Sequence, residues 1–136
     1  MKGIALLFFV SATIYLLGGL VLGIYMGIIH DHTLATAHAH LNLVGFMVFA
    51  VMGLFYHATP AAAATLGARL HFGLATLGVF LLVPGIGLTV QGDETGEPLA
   101  IAGSLATTAA VATFLINLAV VKTRSVRALR DSPASA

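Results

Sequence analysis

Six histidines are the side chains in this sequence best suited to bind a metal or carry a proton near neutral pH. Four of them, His30, His32, His38 and His40, fall within the stretch "HDHTLATAHAH" at residues 30–40. The last two, one residue apart, open a run that otherwise reads as lipid-soluble. A histidine there must be solvated, hydrogen-bonded or ligated. On a helix of 3.6 residues per turn, positions i and i+2 point about 200° apart. His38 and His40 therefore do not chelate one ion from one face, as histidines four apart can. His38 continues a stripe through Asn42, Gly45 and Phe49. His40 continues another through Val44, Met47 and Val51. The spacing predicts two separate pockets on opposite flanks of one helix.

The elements that position these residues follow from composition. The 136 residues are 59% hydrophobic and 8% charged, where a soluble domain carries about a quarter charged residues. A bilayer-spanning helix needs roughly 20 apolar residues. Four segments qualify, at about Gly3–Ile29, Leu34–Tyr56, Leu70–Val90 and Leu99–Val121. The first runs past the length of a signal-peptide core with no small-residue cleavage site, so it reads as a retained helix. The connections are short. The fold expected is all-α and integral to the membrane, with one four-helix domain over 1–121 and a basic tail over 122–136. No basic patch interleaves with aromatics, so no nucleic-acid partner is expected. The chain has no cysteine, which excludes thiolate metal sites and disulfides.

Charge gives the orientation. Cationic residues concentrate in short cytoplasmic loops. Lys2, Arg69, Lys122, Arg124, Arg127 and Arg130 all fall on the N-terminus, the second loop or the tail. Asp31, Asp93, Glu94 and Glu97 fall on the other two loops. Both termini are expected in the cytoplasm, with the chain in the cytoplasmic (inner) membrane. The cluster from His30 to His40 then lies at the outer face, and His57 and His71 at the inner one. Seventeen residues from His40 to His57 amount to about 25 Å of helix, so one cofactor does not reach both groups.

Gly19, Gly23 and Gly27 make a small-residue seam on the first helix. Such seams let helices approach closely in lipid; the same flat surface also suits a planar cofactor. Pro84 removes a helix bond and predicts a kink in the third helix. The Ser and Thr hydroxyls of the fourth helix are expected to bond back to their own helix. Asn117 reads as an interfacial polar contact.

The segment "AHAHLNLVGFMVFAVMGLFYHATP" resembles the tenth helix of haem-copper oxidase catalytic subunits, above all the C-family cytochrome oxidases and the bacterial nitric oxide reductases. The shared features are His38-Ala39-His40, Gly45-Phe46 and Tyr56-His57. The next stretch, "RLHFGLATLGVFLLVPGIGLTVQG", resembles the family's following helix through His71-Phe72 and Leu74 to Gly78. The likeness covers about residues 36–92, in register across two helices and a loop. It implies one four-helix arc of the family's larger subunit. It also implies that His38 and His40 bind haem iron, the first at a high-spin and the second at a low-spin haem. Any haem would be a non-covalent haem b.

The departures set the function expected. The sequence lacks the family's adjacent His-His pair and its His-Pro-Glu helix, which hold copper or non-haem iron. A complete oxidase or reductase is therefore not expected. The leading expectation is a bis-histidine haem b protein in electron transfer. It would self-associate as a trimer, or alternatively a dimer, with haem between protomers and an unidentified redox partner. His30, His32 and Asn42 complete the cofactor-binding set, the "HDH" turn and the second helix's N-terminus serving the propionates. A five-coordinate, gas-binding haem is a variant. Two other classes remain. One is transition-metal binding or transport by His30, Asp31, His32, His38 and His40. The other is a cofactor-free assembly subunit.

Overall fold

In lipid, an apolar segment satisfies its backbone by coiling on itself. In the computed structural model the first such segment is helix α1, Gly3–Ile29, which contains neither a charge nor a proline. The second helix, α2, spans Ala35–Ala58. A short turn of helix, α3, covers Pro60–Ala63. Helix α4 runs Leu66–Val90 and α5 runs Gly96–Asp131. The structure describes the backbone of residues 1–131 and side chains through Val121. Four of these helices are long and apolar enough to cross a membrane, and no strand occurs among the described residues.

The boundaries differ from expectation in two places. The fourth helix continues past Val121 to Asp131, because nothing in "KTRSVRALRD" breaks a helix before Pro133. The basic side chains of the tail and its end at 132–136 lie outside the described residues. Helix α4 begins at Leu66, not Leu70, because Thr65 caps it: its Oγ1 accepts the Ala68 N–H at 3.1 Å. The helix passes through Pro84 without a break.

The chain folds as two hairpins, α1–α2 and α4–α5, and the same turn closes each of them. His30 ends α1 in the left-handed region (φ 53°), and Gly92 follows α4 in the same region (φ 83°). The next residue in each case is an aspartate. Asp31 Oδ1 accepts the Thr33 N–H at 2.9 Å and the Thr33 hydroxyl at 2.6 Å. Asp93 Oδ1 accepts the Thr95 N–H at 2.9 Å and its hydroxyl at 2.7 Å. All three positions are shifted by 62 residues between the turns (30 to 92, 31 to 93, 33 to 95). The same shift carries the pair Gly23 and His38 onto Gly85 and Ala100, and both pairs are in contact.

Helices gain little from burying apolar surface against each other in lipid, so close backbone approach must hold them. In the second hairpin Gly78 and Gly85 of α4 interleave with Gly96 and Gly103 of α5. A Cβ on any of the four would strike the opposing helix, in each case at its backbone. Seven-residue spacing on both helices keeps that seam on one line. The first hairpin packs glycine against side chains instead: Gly19 against Asn42, Gly23 against His38, and Gly45 against Tyr15. The glycine seam of α1 is thus filled from within the chain at Gly19 and Gly23, while Gly27 faces open space. Toward the other end the core is aromatic. Phe8 lies 5.2 Å from Phe49 and 5.0 Å from both His71 and Phe72, centroid to centroid.

Candidate functional site

The paired histidines sit where α2 changes its winding. Residues Ala35–His40 are α-helical, Leu41–Val48 form a π-helix, and Phe49–Ala58 return to α. At the start of the π-helix the Asn42 side-chain amide donates to the His38 carbonyl at 3.1 Å. π segments inside α-helices are rare and often mark functional sites.

His38 and His40 point to opposite flanks. His38 faces α1, and its Cε1 lies 3.0 Å from where a Cβ on Gly23 would be. The Asn42 Nδ2 donates to His38 Nε2 at 3.1 Å. An amide nitrogen only donates, so that lone pair on His38 is occupied and its proton sits on Nδ1. An iron at Nε2 would have to displace Asn42. Below it, Gly45 and Phe49 are buried on the same side.

His40 is half-buried and stands beside the outward flank, where Leu43, Met47 and Val51 are all more than half exposed. Its Nδ1 lies 2.8 Å from the Thr36 carbonyl oxygen. A carbonyl only accepts, so Nδ1 carries a proton, and in the neutral imidazole Nε2 is the nitrogen with the lone pair. That arrangement, one ring nitrogen donating to a backbone carbonyl and the other left basic, is how proteins orient a metal-binding imidazole.

His30, Asp31 and His32 form the exposed turn between α1 and α2. The Thr33 hydroxyl, then the Thr33 N–H, hold the Asp31 carboxyl below the ordinary carboxylate range, with His32 adding to the effect. Asp93 is lowered by the matching Thr95 groups. Among the described residues, no three His, Asp or Glu side chains converge as a metal cage. His30, Asp31 and His32 are therefore not gathered with His38 and His40 into one such cluster.

A second polar group, at the opposite end of the bundle, is not apparent from the spacing of residues along the chain. His71 is 1% exposed. Its Nδ1 lies 2.9 Å from the Tyr56 hydroxyl, which also receives the Asn117 amide at 3.2 Å. The phenol therefore donates to His71 and accepts from Asn117, tying α2, α4 and α5 together. Gly67 leaves the space that Asn117 occupies. Phe8 and Phe114 pack around the imidazole, with centroids at 5.0 and 5.2 Å. Asn117 is accordingly a buried tie between helices, and His57 is exposed. The only sequence signal for this group is that three polar residues all fall near the ends of apolar spans away from the His30–His40 stretch.

No family model matches this chain, and neither a curated protein nor a solved structure does.

Proposed function

We propose that this chain is a membrane-embedded haem b protein acting in electron transfer, with His40 Nε2 as an axial ligand. The observation that carries the reading is the bond from His40 Nδ1–H to the Thr36 carbonyl, which fixes the tautomer that a haem iron requires. The flank around it suits a porphyrin edge: Thr36 and Ala39 are small, and Leu43 and Met47 are apolar and exposed. When bound, haem iron cycles between ferric and ferrous states and so moves one electron.

The residues of the chain supply the rest. His38 faces the other flank and is engaged by Asn42, so a single copy presents one imidazole of the pair to the His40 flank. The second axial imidazole then comes from a second copy, and the haem sits between protomers. A dimer sharing one haem through two His40 side chains satisfies this; a trimeric ring resembling the larger family subunit would also require His38 to release Asn42. His30, His32 and the N-terminus of α2 serve the propionates at the outer end. The charge map supports cytoplasmic termini and a place in the cytoplasmic membrane. Bis-histidine ligation leaves no open iron position, which suits electron transfer over gas chemistry.

The same engagement of His38 favours one variant. A chain acting alone holds haem through His40 only, leaving the sixth position for a gas. Absorption spectra of the detergent-purified protein, expressed with haem supply, test both. A Soret band with sharp reduced α and β bands, unmoved by carbon monoxide, is expected of the bis-histidine form. A carbon monoxide shift selects the five-coordinate variant, and a colourless protein overturns the proposal.

A further inference from the structure

A cavity of about 470 Å³ opens at the end of the bundle that carries the N-terminus of α1. Lys2 and His57 line it, and both are exposed. Its walls are otherwise apolar, from Ile4, Ala5, Pro60 and Ala63. Tyr56 lines it too, although its ring is buried against the aromatic core. No side chain caps α1 at Lys2, so the positive end of the helix dipole adds to the Lys2 ammonium. Among the described residues, none that lines the cavity is acidic. If the four long helices span the bilayer, as their length and hydropathy indicate, these residues lie at the level of the lipid headgroups.

We propose that this cavity binds the phosphate headgroup of an anionic membrane lipid. Lys2 supplies the charge that pairs with the phosphate, and His57 supplies a second nitrogen donor on the facing helix end. The apolar walls accept the glycerol and first acyl carbons. Basic pockets between membrane helices recognise anionic headgroups in this way. Charge complementarity singles out a lipid among possible occupants, since a neighbouring apolar helix would leave the Lys2 ammonium unpaired and the His57 imidazole without a polar partner. The inference rests on the bilayer-spanning reading of the helices and is independent of haem.

Native mass spectrometry of the full-length protein tests it, after reconstitution in equal parts phosphatidylglycerol and phosphatidylcholine. The wild-type protein is expected to retain phosphatidylglycerol over phosphatidylcholine, and Lys2→Gln to reduce that preference about fivefold, the effect of one cationic contact near an anionic surface. The double variant Lys2→Gln/His57→Gln should abolish it, while Lys2→Arg keeps it. Arg69→Gln removes an exposed cation of the second loop that does not line the cavity, and should leave the preference intact. Equal retention of the two lipids by the wild type, an unchanged preference in the double variant, or an equal loss in Arg69→Gln would overturn the proposal. Displacement of the bound lipid by millimolar inorganic phosphate would overturn the lipid assignment.

Discussion

Replacing Tyr56 with phenylalanine should loosen the joint between the two hairpins while leaving the histidine pair alone. The ring stays, with its contact to Phe8 at 5.5 Å. Only the hydroxyl goes, and with it the bonds to His71 and Asn117. Both bonds are long-range, joining positions 15 and 61 residues apart. In water, leaving a buried partner unsatisfied costs about 1–3 kcal/mol. Between membrane helices, measured couplings average about 0.6 and reach about 1.7 kcal/mol each. Two bonds lost from one hub therefore predict a destabilisation of about 1–3 kcal/mol, or roughly a factor of 5 to 150 in the unfolding equilibrium. The chain has no cysteine, so a single Ala110→Cys, at a buried position on α5, reports unfolding through its reactivity along a detergent titration. A double-mutant cycle with Asn117→Ala should show coupling of about 0.5 kcal/mol or more. A Tyr56→Phe effect below about 0.3 kcal/mol, or strict additivity with Asn117→Ala, would refute the reasoning.

Other predictions follow from the same contacts. A Cβ at Gly19 would overlap the Asn42 amide oxygen, and one at Gly23 would press on His38. Both Gly→Ala changes should cost about 1–3 kcal/mol as overpacking, the larger at Gly19, read in the same detergent titration. Thr107 Oγ1 is buried without a hydrogen-bond partner, so Thr107→Val should be neutral or raise stability by up to about 1 kcal/mol. At the two hairpin turns, the Asp31 and Asp93 carboxyls are held below the ordinary range by their threonines. Their contribution is present above the ordinary carboxylate value near about 3.9 and is lost as pH falls through the lowered values. Amide exchange at Thr33 and Thr95, taken relative to the intrinsic rate at each pH, should therefore stay protected at pH 5 and lose that protection only at more acidic pH. Loss of protection already near neutral pH would contradict the turn geometry.

Much of this architecture is written in local pattern. The four spans follow from the length of the apolar runs, because lipid permits few other backbone solutions. The opposite flanks of His38 and His40 follow from helical angle, and His38, Asn42, Gly45 and Phe49 do share the face toward α1. The hydroxyls of Ser104, Thr108 and Thr113 bond back four residues as their type dictates. The π segment is less legible. Leu41–Val48 contains ordinary residues, with no proline or charge to mark a change of winding. The Tyr56–His71–Asn117 hub is not legible at all from spacing, since its bonds span 15 and 61 residues and exist only once α4 lies against α2. The repeated left-handed residue, Asp, x, Thr turn is visible in "HDHT" and "GDET", yet only the structure shows that both close a hairpin in the same way.

The central claim is that His40 binds haem iron while His38 holds its place through Asn42. Haem stoichiometry and the Soret band, measured side by side for the wild type, His40→Ala and His38→Ala, test it most directly. The account predicts a Soret band in the wild type, at one haem per two chains for the shared dimer. It predicts that His40→Ala abolishes the band and that His38→Ala keeps it, at reduced occupancy. A full Soret band in His40→Ala would contradict the assignment.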